Sequence, residues 1–230
     1  MKDNVITEIE DPDMPLWAVW TVQQYAKYVS KEKATQKFGA FVKEVIDYVV
    51  EGKAPNLTLR DNGLVYSKGT EKAISWMNTT EFGRPLIPRT GYLVEFNALW
   101  YNALKFALEL GCVSDKAKAE GIAAKYEENF AKIFTSPAGY LYDYVTDEYV
   151  EASVRPNQLW AIGLPYTPLS KPERKAALDM VTKELLTPKG IRSLTPKAGM
   201  YRPYYWGNAS ERNVAYHNGA VWPWLLGAYT

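Results

Sequence analysis

The sequence predicts an all-α protein built from paired helices, an α/α toroid in which inner and outer helices alternate around a ring. Stretches with one charged face alternate with short aromatic stretches that carry almost no charge, and a helix of the second kind has to be surrounded by protein. The aromatic stretches also begin alike, with an apolar residue followed by tryptophan, which is typical of stacked helical hairpins. These starts are Leu16-Trp17, Leu99-Trp100, Leu159-Trp160 and Val221-Trp222.

The first quarter of the chain predicts one such hairpin. A helix begins near Pro15, with Asp11 or Asp13 as its cap. A second, amphipathic helix follows and ends before Gly52, because glycine is the common residue just past a helix end. The stretch 54–91 is then rich in loop residues. Loops of this length in a compact domain are usually functional.

The remaining elements continue the alternation. A strongly apolar helix is predicted over 94–110 and a charged outer helix over 114–134. A short helix over 156–162 has its partner over 171–186, and a last helix begins near Val221. If the inner helices lie parallel, their N-terminal ends and the loops before them converge on one mouth, where free backbone N–H groups face a common ligand.

Short β-like segments at 63–66 and 139–145 are expected at the rim of that mouth. The 230 residues suffice for one sizeable core, so 1–230 is predicted to be a single toroid domain, with residues 1–10 flexible. Residues 1–10 have neither the basic nor the apolar region of a signal peptide.

Charge and cysteine content restrict the partners. The formal net charge is +1, from 27 basic and 26 acidic residues, which gives no electrostatic reason to expect nucleic acid or an anionic membrane as partner. No apolar run is long enough to span a bilayer. Cys112 is the only cysteine, which excludes an intrachain disulfide and favours a reducing compartment, so we expect a cytoplasmic protein. A neutral ligand fits this composition.

Aromatic and amide side chains are dense in two segments near the C-terminus, 201–207 and 216–224. Aromatic faces stack on the C–H faces of pyranose rings, while Asn, His and Arg donate directional hydrogen bonds to hydroxyl groups. These segments therefore favour a sugar-binding wall. The alternative for any single ring is an ordinary core position.

Four segments together resemble the glucosidase domain of glycogen debranching enzymes, the amylo-α-1,6-glucosidase type. They are Trp76-Met77-Asn78, Thr90 to Leu104, Val154 to Leu159, and Tyr216-His217-Asn218-Gly219. The resemblance implies an (α/α)6 toroid that hydrolyses α-1,6-linked glucose at branch points of an α-glucan or oligosaccharide, with inversion and without metal or organic cofactor. About seven of the family's twelve helices can be placed, so we expect an incomplete toroid whose open edge is covered by association or by further chain segments.

Inverting glycoside hydrolysis needs two carboxyl groups, one to protonate the leaving oxygen and one to activate water. The resemblance places the general acid at Asn78, whose amide forms hydrogen bonds but delivers no proton to a glycosidic oxygen. Val221 stands at the position where eukaryotic members carry the base. Among the substitutes, Glu95 begins an inner helix, where it serves either catalysis or capping. Glu211 is the preferred base, ahead of Glu81.

The predicted substrate-binding residues lie in the same four segments and in the aromatic wall. They are Trp76, Arg89, Asn97, Trp100, Arg155, Asn157, Gln158, Tyr201, Arg202, Tyr216, His217, Asn218 and Trp222. Two alternatives stay open: Arg89 or Arg155 can be an ion partner of Glu95 rather than a ligand, and His217 can be structural. The lone histidine and lone cysteine argue against a zinc site.

Two functions follow from these residues. The first is a glycoside hydrolase of the debranching class, in which Asn78 stands at the position of the acid. The second is a non-catalytic carbohydrate-binding domain that keeps the pocket without the chemistry. A protein-interaction scaffold is disfavoured, because it has no need for clustered Trp, Asn and Arg at one rim.

Overall fold

The computed structural model describes residues 11–69 and 71–230, so the predicted flexible segment 1–10 lies outside the described residues. The fold is mostly helical, as predicted, and about half of the chain is in helices. The helices are α1 (Met14–Tyr28), α2 (Lys31–Val50), α3 (Val94–Leu110), α4 (Lys116–Phe134), α5 (Gln158–Gly163), α6 (Lys171–Leu185), α7 (Ala209–Tyr216) and α8 (Leu226–Tyr229).

The strands are short and pair only in small antiparallel sheets. They are β1 (Leu57–Leu59), β2 (Val65–Ser67), β3 (Thr80–Glu81), β4 (Arg84–Pro85), β5 (Tyr92–Leu93), β6 (Tyr144–Val145), β7 (Val150–Glu151), β8 (Leu186–Thr187), β9 (Gly190–Arg192) and β10 (Val221–Trp222). The pairings are β1 with β2, β3 with β4, β5 with β6 with β7, and β8 with β9 with β10. All lie in the connections that precede α3, α5 and α8.

Three helical hairpins form the body of the molecule. The helices α1, α3 and α5 each contact the helix that follows them, and α1, α3, α5 and α8 are neighbours in that order. The central helix α3 is buried on nearly every side, as its almost uncharged sequence predicts, and its Phe96, Leu99 and Leu104 have no exposed surface. The helices thus pair along the chain, α1 with α2, α3 with α4 and α5 with α6.

Side chains and glycines fix the helix ends. The Ser30 hydroxyl accepts a hydrogen bond from the Lys33 N–H, and Ser170 forms a capping box with Glu173 at the start of α6. Gly111 ends α3 in the left-handed conformation, with φ of 67°. Asp13 differs from the prediction, because its carboxylate accepts a hydrogen bond from the Trp17 indole instead of capping the backbone of α1.

The C-terminal part differs from the sequence interpretation at two places. Val221 does not begin a helix but lies in β10, paired with Arg192 of β9, and helical turns begin only at Pro223. A residue close before a proline is biased toward extended backbone, which explains the shift. The sequence interpretation also missed α7, which a capping box between Asn208 and Glu211 stabilises.

None of the helices in residues 11–69 and 71–230 has the length and apolar character needed to cross a bilayer.

Candidate functional site

The connections that lead into the inner helices come together at one end of the hairpins. The Trp76 indole, in the connection before α3, donates a 2.7 Å hydrogen bond to the amide oxygen of Asn157, which precedes α5. The same indole contacts the ring of His217, before α8, with 5.1 Å between centroids. Trp17, in the first turn of α1, packs edge-on against Trp160 of α5 at 4.6 Å. Four predicted inner-helix starts thus contribute to one region.

The centre of this region is a buried ion cluster around Arg89. The guanidinium binds the carboxylate of Glu95 through both terminal nitrogens, and the Nη2–Oε2 distance is 2.7 Å. Its Nε lies 2.9 Å from Oδ2 of Asp143, and its Nη2 lies 3.0 Å from Oδ1. The Ser75 hydroxyl accepts a further hydrogen bond at 3.3 Å. The three charged side chains are at most 1% exposed, so protein groups alone satisfy them.

The electrostatics of the cluster keep the guanidinium charged. Burial alone lowers the pKa of Arg89, but the carboxylates of Asp143 and Glu95 together raise it above its ordinary value. Burial raises the pKa of Glu95, and the guanidinium opposes this shift. Glu95 is therefore an ion partner of Arg89, the alternative that the sequence left open. To act as a catalytic carboxylate it has to leave that pair and reach solvent.

Arg155 holds the His-Asn-Gly turn before β10. Its Nη1 donates to the backbone carbonyls of Ser193 at 3.1 Å and of His217 at 2.7 Å. Its Nη2 donates to Oδ1 of Asn218 at 3.0 Å. Its Nε lies 3.9 Å from the carboxylate of Asp143, which links the turn to the ion cluster. Burial lowers the pKa of Arg155, and Asp143 opposes that effect.

Three other predicted residues, Asn97, Trp100 and Gln158, are buried and hydrogen-bonded to the backbone of the connecting segments. The backbone partners are those of Val65 and Leu93 for Asn97, of Gly63 for Trp100, and of Leu141 and Arg155 for Gln158. Their polar groups bind the connecting segments to α3 and α5. Asn157 is placed similarly, since its amide nitrogen donates to Asp143 at 2.6 Å and its oxygen accepts from Trp76.

His217 lies inside an aromatic cluster and is 1% exposed. Its ring is nearly parallel to Trp222, with centroids 5.4 Å apart, while Trp76 and Tyr216 approach it edge-on. Neither Nδ1 nor Nε2 has a hydrogen-bond partner among the described residues. Burial, and then the charge of Arg155, lowers the pKa of His217 to about 3, so the imidazole is neutral at physiological pH.

Asn78, Glu81 and Glu211 are more exposed than His217. Asn78 is exposed between the buried Met77 and β3. The carboxylate of Glu81 in β3 accepts a hydrogen bond from Ser210 of α7, which places the two elements side by side. Glu211 is exposed at the start of α7, and its carboxylate accepts the Asn208 N–H at 2.8 Å. The predicted carboxylates Glu95 and Glu211 are thus on the buried and the open side, respectively.

The predicted wall residues Tyr201 and Arg202 lie beside the His-Asn-Gly turn. The Arg202 N–H donates to the carbonyl of Asn218 at 2.6 Å. Gly219 has φ of 146°, and a Cβ there would collide with the backbone carbonyl of Arg202. Only glycine allows the turn and this segment to approach so closely.

The sequence matches the amylo-alpha-1,6-glucosidase family over residues 3–230. The chain belongs to this family. It is 26% identical to the glycogen debranching enzyme of Saccharomyces cerevisiae over 235 aligned residues, which cover 80% of the chain and 15% of the yeast enzyme. The predicted resemblance is therefore confirmed.

A crystal structure of a GH78 family rhamnosidase of Bacillus sp. GL1 is similar in fold. Its TM-score is 0.52 at 14% identity, over 74% of this family member and 17% of the rhamnosidase. The chain thus spans less than a fifth of each of these two proteins.

Two acidic residues outside the predicted site, Asp143 and Asp13, have unusual surroundings in this family member. Asp143 receives hydrogen bonds from Arg89 and Asn157 and is the hub of the ion cluster. Asp13 is 4% exposed, and burial raises its pKa to about 7, assisted by the charge of Glu95 and opposed by the Trp17 hydrogen bond. The i to i+4 spacing of Asp13 and Trp17 was the available signal.

No three His, Cys, Asp or Glu side chains within the described part of the family member are grouped so that they could hold a metal ion.

Proposed function

We propose that this chain supplies the sugar-contacting face of a glycoside hydrolase domain that acts on α-1,6-linked glucose at glucan branch points. The observation that carries the proposal is His217, a buried neutral imidazole whose two nitrogens have no partner among the described residues. Family membership supports the relationship to glycoside hydrolases. The substrate and the reaction are our proposals, because the chain aligns with only 15% of the yeast enzyme.

A sugar hydroxyl matches the surroundings of His217. A neutral imidazole has one donor and one acceptor nitrogen, and a hydroxyl group both donates and accepts. Trp222 and Trp76 contact the imidazole, and both keep partly exposed ring surface that suits the C–H faces of a pyranose. The indole nitrogens of both rings are already bonded to protein, Trp76 to Asn157 and Trp222 to the carbonyl of Tyr216. Rings fixed in this way lose little conformational entropy on binding.

We also propose that the three hairpins form an arc of an (α/α)6 toroid, with residues 1–230 in one domain and the small sheets at its rim. The order of contacts from α1 through α3 and α5 to α8 supports this arrangement. A cavity of about 500 Å³ lined by Trp20, Trp160 and Leu178 supports the prediction that another segment or an associating chain covers the edge. The cytoplasmic location stays a prediction from the cysteine content.

Inverting hydrolysis in this proposal uses residues on the open side. Asn78 hydrogen-bonds the leaving oxygen, and the exposed carboxylate of Glu211 activates the water. In the unchanged chain the leaving oxygen has to take its proton from solvent water, because the Asn78 amide has none to transfer, whereas in Asn78→Asp the carboxylic acid delivers it.

A non-catalytic α-glucan-binding domain is the second candidate. Two observations favour it: an amide occupies the position of the acid, and the buried Glu95 and Asp143 are both paired with Arg89. In that case the aromatic cluster and His217 bind the sugar, and no carboxyl group protonates the glycosidic oxygen.

One assay separates the two candidates. It measures the glucose that the unchanged chain and Asn78→Asp release from a branched limit dextrin. If only the acid is missing, Asn78→Asp gains at least about 100-fold in glucose release, the usual contribution of a general acid. Asn78→Gln keeps an amide and serves as the matched control without gain. Retardation in a glycogen-containing gel is measured for all three variants. Retention without glucose release by any variant favours the binding domain, and absence of both contradicts the proposal.

A further inference from the structure

We propose that an open cavity beside the aromatic cluster is a second subsite, which binds the glucan chain that carries the branch. The cavity is lined by Arg202, Pro203, Tyr204, Trp206, Ser210 and Glu211, and is called the outer cavity below. Its volume is about 390 Å³, within the range of ligand pockets in proteins. The inference rests on the proposed function, because it extends the same site from the branch to the main chain.

Two large aromatic rings of the outer cavity face solvent. Tyr204 is 70% exposed and Trp206 is 74% exposed, and their rings meet edge-on with 6.4 Å between centroids. A single exposed aromatic residue is ordinary, but adjacent exposed rings at a concave surface are typical of binding sites. Neither ring is part of the core, so packing does not account for them.

The polar groups of the outer cavity are placed for hydroxyl groups. The carboxylate of Glu211 is fixed, because it accepts the Asn208 N–H at 2.8 Å. Gly207 directly follows Trp206 with φ of 91°, and a Cβ at this position would collide with the Glu211 carboxylate. The carboxylate therefore lies against the backbone of Gly207, the residue after Trp206. The charges of Arg202 and Glu211 cancel, which favours a neutral ligand with hydrogen-bonding groups over a charged one.

Aromatic contacts join the outer cavity to His217. Tyr205, between the two exposed rings in sequence, contacts Tyr216 at 5.5 Å, and Tyr216 contacts His217 at 4.8 Å. The backbone of Arg202 is also hydrogen-bonded to Asn218. A branched glucan with its stub at His217 can therefore extend its main chain into the outer cavity. A linear chain of several glucose units should contact both places, whereas maltose reaches only one.

Calorimetric titration with maltose and with maltoheptaose tests this inference on the full chain. Trp206→Ala is expected to weaken binding of maltoheptaose at least about tenfold, the effect of losing one strong stacking contact, with maltose affinity within about twofold of the unchanged chain. Trp206→Phe keeps a stacking face and should retain most of the affinity. The matched control is Tyr28→Ala, which removes a ring that is 89% exposed at the other end of α1.

Each outcome is decisive. If the unchanged chain binds neither sugar, the proposed function and this inference both fail. If maltoheptaose binds the unchanged chain and Trp206→Ala equally, the outer cavity is wrong and the proposed function stands. If Trp206→Ala weakens maltose binding as much as maltoheptaose binding, the outer cavity is not a separate subsite. Sedimentation that shows self-association of the unchanged chain but not of Trp206→Ala assigns the rings to a second copy of the chain, and overturns the sugar assignment.

Discussion

Arg89 and His217 are both buried and both belong to the predicted sugar-binding residues, yet their surroundings are opposite. The guanidinium of Arg89 meets Glu95, Asp143 and Ser75, and each of its three nitrogens donates at least one hydrogen bond. The imidazole of His217 donates and accepts none among the described residues. A sequence pattern therefore locates the region, while internal hydrogen bonding separates a residue that holds the scaffold from one whose polar atoms stay unsatisfied by the described residues.

Removing Arg89 should have the largest effect, because it tests the scaffold side of the comparison. Arg89→Leu leaves the carboxylates of Glu95 and Asp143 buried without their cation, and is expected to lower the free energy of unfolding by about 3–5 kcal/mol. Urea unfolding followed by circular dichroism measures the loss. Arg84→Leu, at an exposed position of β4, is the matched control and should stay within about 0.5 kcal/mol. Equal stability of the two variants contradicts a scaffold role.

Asp13 tests a third kind of surroundings, a buried acid that accepts one hydrogen bond from Trp17 and has no cation partner among residues 11–69 and 71–230. Its folded pKa of about 7 is above the ordinary 3.8, so the folded state retains a proton that the unfolded chain releases. Stability therefore falls as pH rises from about 4 to about 7. Asp13→Asn should be about 4 kcal/mol more stable than the unchanged chain at about pH 8, and equal to it at about pH 4.

The measurement for Asp13 is thermal unfolding across that pH range. Asp61→Asn changes an exposed aspartate in the same way and should leave the slope unaltered. Parallel stability curves for the unchanged chain and Asp13→Asn contradict the predicted burial effect.

His217→Phe tests the ligand side of the comparison. The substitution keeps an aromatic ring against Trp222 and removes two unpartnered nitrogens, so we expect about 1 kcal/mol more stability together with loss of maltose binding. The folded pKa of His217, about 3, is below the ordinary 6.5, so the unchanged chain loses stability as pH falls through that window, and the variant should lose less. Calorimetry and unfolding on the same samples check both effects. Lower stability with intact binding makes His217 a structural residue.

Glu211→Gln should have the smallest effect on stability, about 0.5–1 kcal/mol, because it alters one exposed capping box. The matched control is Glu173→Gln, which alters the capping box of α6 away from the site. Both variants should lose similar stability. In an Asn78→Asp background, only Glu211→Gln should abolish glucose release if Glu211 activates the water. Equal release by the two double variants contradicts that role.

The hairpins were predictable because their signals are local. Apolar periodicity, the Ser30 and Ser170 caps and the Gly111 stop each act within a few residues of one another. The roles of Asn97 and Gln158 were harder to predict, because the sequence around a buried amide is the same whether the amide binds a sugar or the backbone of a connecting segment. Their partners are fixed only when the connections fold over α3 and α5.

The ion cluster and the unpartnered histidine were not predictable from local patterns. Arg89 and Asp143 are 54 residues apart, and no periodicity connects them. The state of His217 depends on which groups are absent around it, and this requires every neighbouring element to be in place. The helix α7 was not predicted for a different reason. Its eight residues are too few for a clear helical period, although the spacing of Asn208 and Glu211 was a usable signal.

One consequence of the aromatic packing concerns light. Successive indole centroids are 4.6 to 5.9 Å apart along a row of six tryptophans. The row runs Trp20, Trp17, Trp160, Trp224, Trp76 and Trp222. At such separations excitation energy migrates between rings before it is emitted. The fluorescence of the folded chain is therefore a collective property of the row. A molecule that quenches Trp222 also lowers the emission that follows absorption by Trp20.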